Sequence, residues 1–184
     1  MNDQQRGHLP KIELLVFDLG GILIHLEIDL LLSRWKIPVN LRPQFNQYFM
    51  SWTIHHQFEK GLIVEDHFFN ELRKYINDFH ITHSVNPIHQ NDFLNLSKIE
   101  LQQSWNSMIG SSVPQTSKMI QQLSIPVHLL SNTNSSHIQH CRDNKYDFLT
   151  TLSHHWFSYE VGHRKPDSEI YENISQSVNE KLKI

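Results

Sequence analysis

Residues 12–17, IELLVF, form a short apolar run that ends at Asp18 and the glycine pair Gly20–Gly21. A run of this kind, bounded by glycine, fits a buried parallel strand. Residues 125–130, IPVHLL, repeat the pattern and end at Ser131 and Asn132. Two such strands, each ending in polar residues, predict an α/β protein. In parallel sheets chemistry collects beyond the carboxyl ends of the strands, so Asp18 and Ser131 are the first candidates for function.

Working outward, the chain between these strands reads as mostly helical. Ile28–Trp35 is a short apolar helix stopped ahead of Pro38, and Pro43 opens a second helix running to about Trp52. Residues 64–76, VEDHFFNELRKYI, form the clearest helix. Glu65 and Asp66 suit its first turn, and Phe68, Leu72, Tyr75 and Ile76 make its apolar stripe. Residues 91–109 carry Phe93, Leu94, Leu101, Trp105, Met108 and Ile109 in one or two further helices. Pro114 opens another, with Met119, Ile120 and Leu123 on its buried side. A plain strand–helix–strand unit needs roughly 30 residues, whereas about 110 separate Asp18 from Ser131. An insertion over about residues 27–112 is therefore expected, leaving 1–26 and 113–184 as the α/β core.

Past Ser131, Asn134 or Ser135 can cap a short helix, and residues 154–161 read as a further strand. The segment GHRKPDSEIY follows. Pro166 makes Lys165 extended, and Asp167–Ser168 start a last helix with Ile170, Tyr171, Ile174 and Val178 on its inner side.

The bulk composition excludes several classes. With 184 residues, 39% hydrophobic and 19% charged, the chain suits one globular domain, or a core with a smaller inserted subdomain. A formal charge of −3 makes no electrostatic case for nucleic acid. No basic amphipathic stretch argues for a membrane surface, and no apolar segment is long enough to span one. The polar start and the single cysteine, Cys141, point to the cytoplasm. The 14 histidines are scattered, as expected of a compositional bias on exposed faces.

Asp18, Ser131 and Lys165 each fall at a strand or loop end, in an order that matches the requirements of phosphoryl transfer to a carboxylate. An Asp nucleophile attacks phosphorus and forms an aspartyl-phosphate, which water cleaves. A hydroxyl and backbone N–H groups bind the transferring oxygens, a lysine stabilises the gathered negative charge, and a divalent cation, usually Mg²⁺, neutralises the rest. The stretches that carry these residues also resemble a known family. VFDLGGIL is similar to the first motif of the haloacid dehalogenase-like (HAD-like) hydrolases, LLSNTN to the second, and GHRKPDSEIY to the third. With FEKG between them, the pattern resembles the small glucose-1-phosphate phosphatases across nearly the whole chain. The resemblance implies a Rossmann-like parallel core with an inserted helical cap. It implies a cytoplasmic, Mg²⁺-dependent phosphatase of small, sugar phosphate-like metabolites. Asp18 would be nucleophile and metal ligand, and the Gly20 carbonyl a second ligand. Ser131, Lys165 and the backbone around Leu19, Gly20 and Asn132 would bind the phosphoryl group. The cap would exclude water and select the substrate.

Two departures stand out. The family commonly has a second Asp two positions after the nucleophile, as acid and base, where this chain has Gly20. His25 lies nearby as a conceivable acid, though a solvated position at the cap entry is favoured for it. The family's fourth motif, an acidic residue after another strand, has no counterpart after Lys165. The chain is thus expected to be C-terminally truncated relative to the family, with an open sheet edge and weak Mg²⁺ binding. The alternative function is accordingly an inactive, HAD-like binding module. Other chemistries find no support: G-x-G-x-x-G, G-x-x-x-x-G-K-[ST] and G-x-S-x-G are absent, and Cys141 lacks a phosphate-cradling loop. The rival site is His137, His140 and Cys141, which on one helix face could offer three zinc ligands, against a reading in which Cys141 simply packs inward. His137 is also a candidate neighbour of the phosphate site.

Overall fold

The computed structural model describes residues 12–83, 85 and 95–181. In chain order they form β1 (Leu15–Phe17), β2 (Ile24–Leu26), α1 (Ile28–Arg34), a 3₁₀ turn (Val39–Leu41), α2 (Arg42–Met50), α3 (Thr53–Glu59), α4 (Glu65–Thr82) and α5 (Lys98–Asn106). There follow β3 (Ile109–Ser112), α6 (Pro114–Gln121), β4 (Val127–Ser131), α7 (Ser135–Asp143), α8 (Phe148–Thr151), β5 (His154–Phe157), α9 (Ser158–Val161) and α10 (Ser168–Lys181).

Three strands make a parallel sheet in the order β1-β4-β5. Leu15 pairs with Val127, and Ser131 with Phe157, so the strands end along one edge. Every residue of central β4 is buried, including its terminal Ser131. β1 is less enclosed than a buried strand would be: Val16 is 42% exposed. Its one neighbour among the described residues is β4. β2 and β3 form a separate antiparallel ribbon, Ile24 pairing with Ser112 and Leu26 with Ile109. Ile109, expected at the end of a helix, therefore opens a strand.

Two large apolar clusters, and a smaller one of Leu130, Trp156, Ile170 and Ile174, lie among the described residues. One lies among α1–α5 and is rich in rings: Trp35, Phe45, Phe49, Phe58, Phe68 and Trp105 are all buried. Trp35 and Trp105 stack with centroids 6.1 Å apart, and the Trp35 indole N–H donates to Ser104 Oγ at 3.0 Å. α4 continues six residues beyond Ile76, because Phe79 extends its stripe of Phe68, Phe69, Leu72 and Ile76. Ser97 and Glu100 open α5 with a reciprocal capping box. The residues 91–94 assigned to this helical region lie outside the described ones. The second cluster joins the sheet to α6–α8 through Leu19, Leu23, Ile24, Leu129, Ile138, Cys141 and Phe157.

Several local expectations need correction. α2 ends at Met50, and α3 forms as an additional helix. On α6 the buried residue is Ile120, whereas Met119 is 45% exposed. The strand expected over 154–161 stops at Phe157. Ser158 then begins α9, since its buried hydroxyl donates to Thr133 O at 3.0 Å and accepts from Thr133 N at 2.9 Å. On α10, Ile170 and Ile174 face inward as expected, while Tyr171 is exposed.

Candidate active site

The parallel register brings Asp18, just past β1, and Ser131, at the end of β4, to the same edge of the sheet. Lys165 reaches them from the loop before α10. Its ammonium group lies 2.8 Å from Asp18 Oδ2 and donates to Leu130 O at 3.2 Å. The other carboxylate oxygen, Asp18 Oδ1, accepts from the Leu19 amide at 2.7 Å. The Leu19 side chain is 2% exposed in the core, so this amide is fixed by packing. The turn that follows is pinned by Gly21 N donating to Ile24 O at 2.8 Å, with Gly21 at φ 75°. Asp18 is 47% exposed and faces a cavity of about 410 Å³. Gly20, Ser131, Asn132 and Lys165 line it as well.

Asn132 acts through its side chain as well as its position. Its Oδ1 accepts from Lys165 N at 2.7 Å, and its Nδ2 donates to Lys165 O at 2.9 Å. This reciprocal pair ties the end of β4 to the main chain of Lys165. The Lys165–Pro166 peptide is cis. Asn134 caps α7, its Oδ1 accepting from His137 N at 3.0 Å.

A second group of polar residues closes the cavity from the helical side. Glu59, at the end of α3, is 8% exposed; its Oε2 lies 2.8 Å from Arg164 Nε, and its Oε1 lies 3.7 Å from His55 Nε2. Burial raises the Glu59 carboxyl above its usual range, and the Arg164 charge opposes that shift. Burial pushes His55 down to about 3, with His56, Arg164 and His137 adding to the effect. Next to Glu59, Lys60 pairs with Asp167 at 2.6 Å. Gly61, at φ 67°, leaves only 2.2 Å between a built Cβ and Tyr159 O. The FEKG segment is thus seated against the segment that carries Lys165. The sequence alone assigns no roles to the residues of FEKG. Spacing could not have found the Glu59–Arg164 pair, which is more than a hundred positions apart in sequence.

The remaining candidates are separated by the fold. His25 is exposed and does not line the cavity. A built Cβ on Gly20 would meet Leu26 Cδ1 at 2.8 Å, so that position is backed by an apolar side chain. His137 lines the cavity, stacked on Trp105 with centroids 4.6 Å apart, and burial lowers it to about 3, the Trp105 main chain opposing. Cys141 instead packs into the sheet cluster, where burial pushes its thiol up to about 12. His137, His140 and Cys141 therefore do not converge. Among the described residues no group of three or more His, Cys, Asp or Glu is placed to hold a metal ion. His55, His80, His128 and His137 are buried, so the histidine excess is not confined to the surface.

No family model matches the sequence. Solved structures do match the fold. A HAD family enzyme from Bacteroides thetaiotaomicron, in complex with magnesium and inorganic phosphate, superimposes with a TM-score of 0.68 at 24% identity, covering 92% of this chain and 80% of that one. The chain has the HAD-like hydrolase fold. A predicted HAD-like family hydrolase from Porphyromonas gingivalis matches at TM-score 0.66 and 21% identity, over 90% of this chain and 76% of the other. L-2-haloacid dehalogenase from Xanthobacter autotrophicus matches at 0.56 and 15%, over 92% and 66%. Within this HAD-like fold, Asp18 and Ser131 occupy the carboxyl edge of the parallel sheet. Among the described residues no helix is long and apolar enough to cross a membrane.

Proposed function

We propose that this chain is a HAD-like phosphatase, hydrolysing monoesters of small phosphorylated metabolites through an aspartyl-phosphate at Asp18. The observation that carries the reading is the Asp18–Lys165 pair, 2.8 Å apart, with both residues lining the cavity. The carboxylate is half-exposed there, so an incoming phosphoryl group can reach Asp18. An Asp18 oxygen attacks phosphorus, the ester oxygen leaves with its electron pair and takes a proton from solvent, and water then attacks phosphorus to release phosphate. Lys165 balances the charge on nucleophile and phosphoryl oxygens, and its main chain is held by Asn132. Ser131 Oγ and the main chain of Leu19, Gly20 and Asn132 would take the remaining oxygens.

Mg²⁺ suits the oxygen donors at hand, the Asp18 carboxylate and the Gly20 carbonyl, because this ion accepts a single carboxylate when water and substrate oxygens complete its octahedron. When bound, it would offset negative charge on the phosphoryl group. α1–α5 would form the cap, the insertion at 27–112, with the β2–β3 ribbon as its base. The neighbouring Bacteroides enzyme, seen with magnesium and inorganic phosphate, supports this reading. The test is release of phosphate from acetyl phosphate by this chain with Mg²⁺, compared with Asp18→Asn. Release by the parent and loss in the variant is expected. Equal rates would refute the assignment.

A further inference from the structure

The proton taken by the leaving oxygen needs a route. An ester oxygen departing from phosphorus as an alkoxide is a poor leaving group unless an acid protonates it as the bond breaks. No carboxyl stands two residues past the nucleophile, where the chain has Gly20. Among the described residues, the titratable side chains lining the cavity are Asp18, His55, Glu59, His137, Arg164 and Lys165. Asp18 is the nucleophile, and the Lys165 ammonium is engaged by Asp18 Oδ2 and Leu130 O. Arg164 does not give up its proton. Burial lowers His55 and His137 to about 3, so near neutral pH neither holds the second ring proton that an imidazolium would donate. Glu59 remains.

We infer that Glu59 is the general acid of this site: its carboxyl gives the leaving oxygen a proton and regains one from the attacking water. This rests on the phosphatase reading above. Arg164 and Lys165 are consecutive. Arg164 Nε lies 2.8 Å from Glu59 Oε2, and Lys165 Nζ lies 2.8 Å from Asp18 Oδ2, so one loop holds both carboxyls at the cavity. Glu59 Oε1 stands 3.7 Å from His55 Nε2, beyond hydrogen-bond reach, and is left to meet a ligand. Burial raises the Glu59 carboxyl above its usual range, while the charges of Arg164 and Lys165 oppose the shift. An arriving phosphate adds negative charge and favours the protonated form further. Arg164 then stabilises the carboxylate that remains after transfer, so both protonation states are within reach, as acid–base work requires. In the first step an Asp18 oxygen attacks phosphorus. The bond from phosphorus to the ester oxygen breaks, its electron pair stays on that oxygen, and the Glu59 proton completes the alcohol. In the second, water attacks the same phosphorus and passes a proton to Glu59. The bond from phosphorus to the Asp18 oxygen breaks, releasing inorganic phosphate. The proton thus comes from solvent by way of Glu59.

Ethyl phosphate and acetyl phosphate are of nearly equal size, but ethoxide needs a proton to leave and acetate does not. Their kcat/KM values, measured on the whole chain with Mg²⁺, test the proposal. In the parent, the ratio of ethyl to acetyl phosphate should fall as pH rises, approaching about tenfold per pH unit above the pKa of the acid. Titration of the phosphate, Asp18 or Lys165 acts on both esters and cancels in the ratio. Glu59→Gln should lower kcat/KM at least about hundredfold more for ethyl phosphate than for acetyl phosphate, and should make the ratio independent of pH. If the stranded Arg164 charge unfolds that variant in a thermal melt, Glu59→Leu/Arg164→Met carries the same test with neither charge buried. The pH dependence of the parent needs no variant at all. The proposal is overturned if the parent ratio does not change with pH, or if ethyl phosphate is not turned over. It is equally overturned by equal losses for the two esters, or by a pH-dependent ratio that persists without Glu59. Failure of the parent to hydrolyse acetyl phosphate refutes the phosphatase reading, whereas its hydrolysis alongside any of those results refutes only the role of Glu59.

Discussion

Removing the Glu59 carboxylate should destabilise the protein more than any single surface ion pair could. Glu59 and Arg164 bury their side chains to 10% and 15% exposure, with Oε2 and Nε 2.8 Å apart. At that burial, solvent screens the pair little. Glu59→Gln leaves the Arg164 guanidinium inside without its counter-charge. Breaking a buried pair in this way costs about 3–5 kcal/mol. For a chain of this size each kcal/mol lowers Tm by roughly 2–4 °C, so a fall of about 6–20 °C is expected. Arg164→Met should cost a similar amount, because it strands the carboxylate. The double variant Glu59→Leu/Arg164→Met removes both charges and should recover much of the loss, giving a coupling of about 2 kcal/mol or more in a double-mutant cycle. Urea melts of the four proteins measure this. Single-variant losses below about 1 kcal/mol, or a double variant equal to their sum, would show that the pair contributes no more than a solvated surface contact.

Four further outcomes follow from the same geometry. Lys165→Ala should lower turnover at least about tenfold by removing the charge beside Asp18, and an unchanged kcat would take it out of the site. Gly61→Ala should destabilise the chain by about 2 kcal/mol or more, from its positive φ and the Tyr159 carbonyl, and an unchanged Tm would contradict the close approach. His55 and His137 are held neutral, their pKa values lowered from 6.5 to about 3. Stability from these depressed values is fully present above pH 6.5 and is lost as pH falls toward 3, by up to about 1.4 kcal/mol per pH unit for each histidine. His137→Phe should flatten that slope in urea melts between pH 7 and 4, and an unaltered slope would refute the assignment. With one carboxylate at hand, Mg²⁺ should bind only weakly, in the millimolar range or above, when no phosphate is present. Micromolar binding by calorimetry would mean that another residue joins Asp18.

The elements that follow strong periodicity were legible in the sequence, and those created by partners were not. The runs before Asp18 and Ser131 became parallel strands because their apolar content admits little else. The stripe of Phe68, Leu72 and Ile76 made α4 visible, while its continuation depended on Phe79 alone. β3 was hidden because Ile-Gly-Ser-Ser has no alternation of its own and becomes a strand through pairing with β2. α3 was missed because Thr53–Glu59 has no side-chain cap to announce it. At the site, Asp18, Ser131 and Lys165 could be picked out because each ends a recognisable segment. The Asn132 clamp on Lys165 and the Glu59–Arg164 pair were not legible, because both depend on side chains meeting across the fold.

Chemical trapping of the covalent intermediate tests the central claim most directly. The chain is mixed with Mg²⁺ and acetyl phosphate, quenched during turnover and treated with borohydride, which reduces an acyl phosphate on aspartate to homoserine. Peptide mass spectrometry then reads position 18. The account predicts homoserine at Asp18, dependent on acetyl phosphate and absent when borohydride is omitted. Phosphate release with Asp18 unmodified would contradict it.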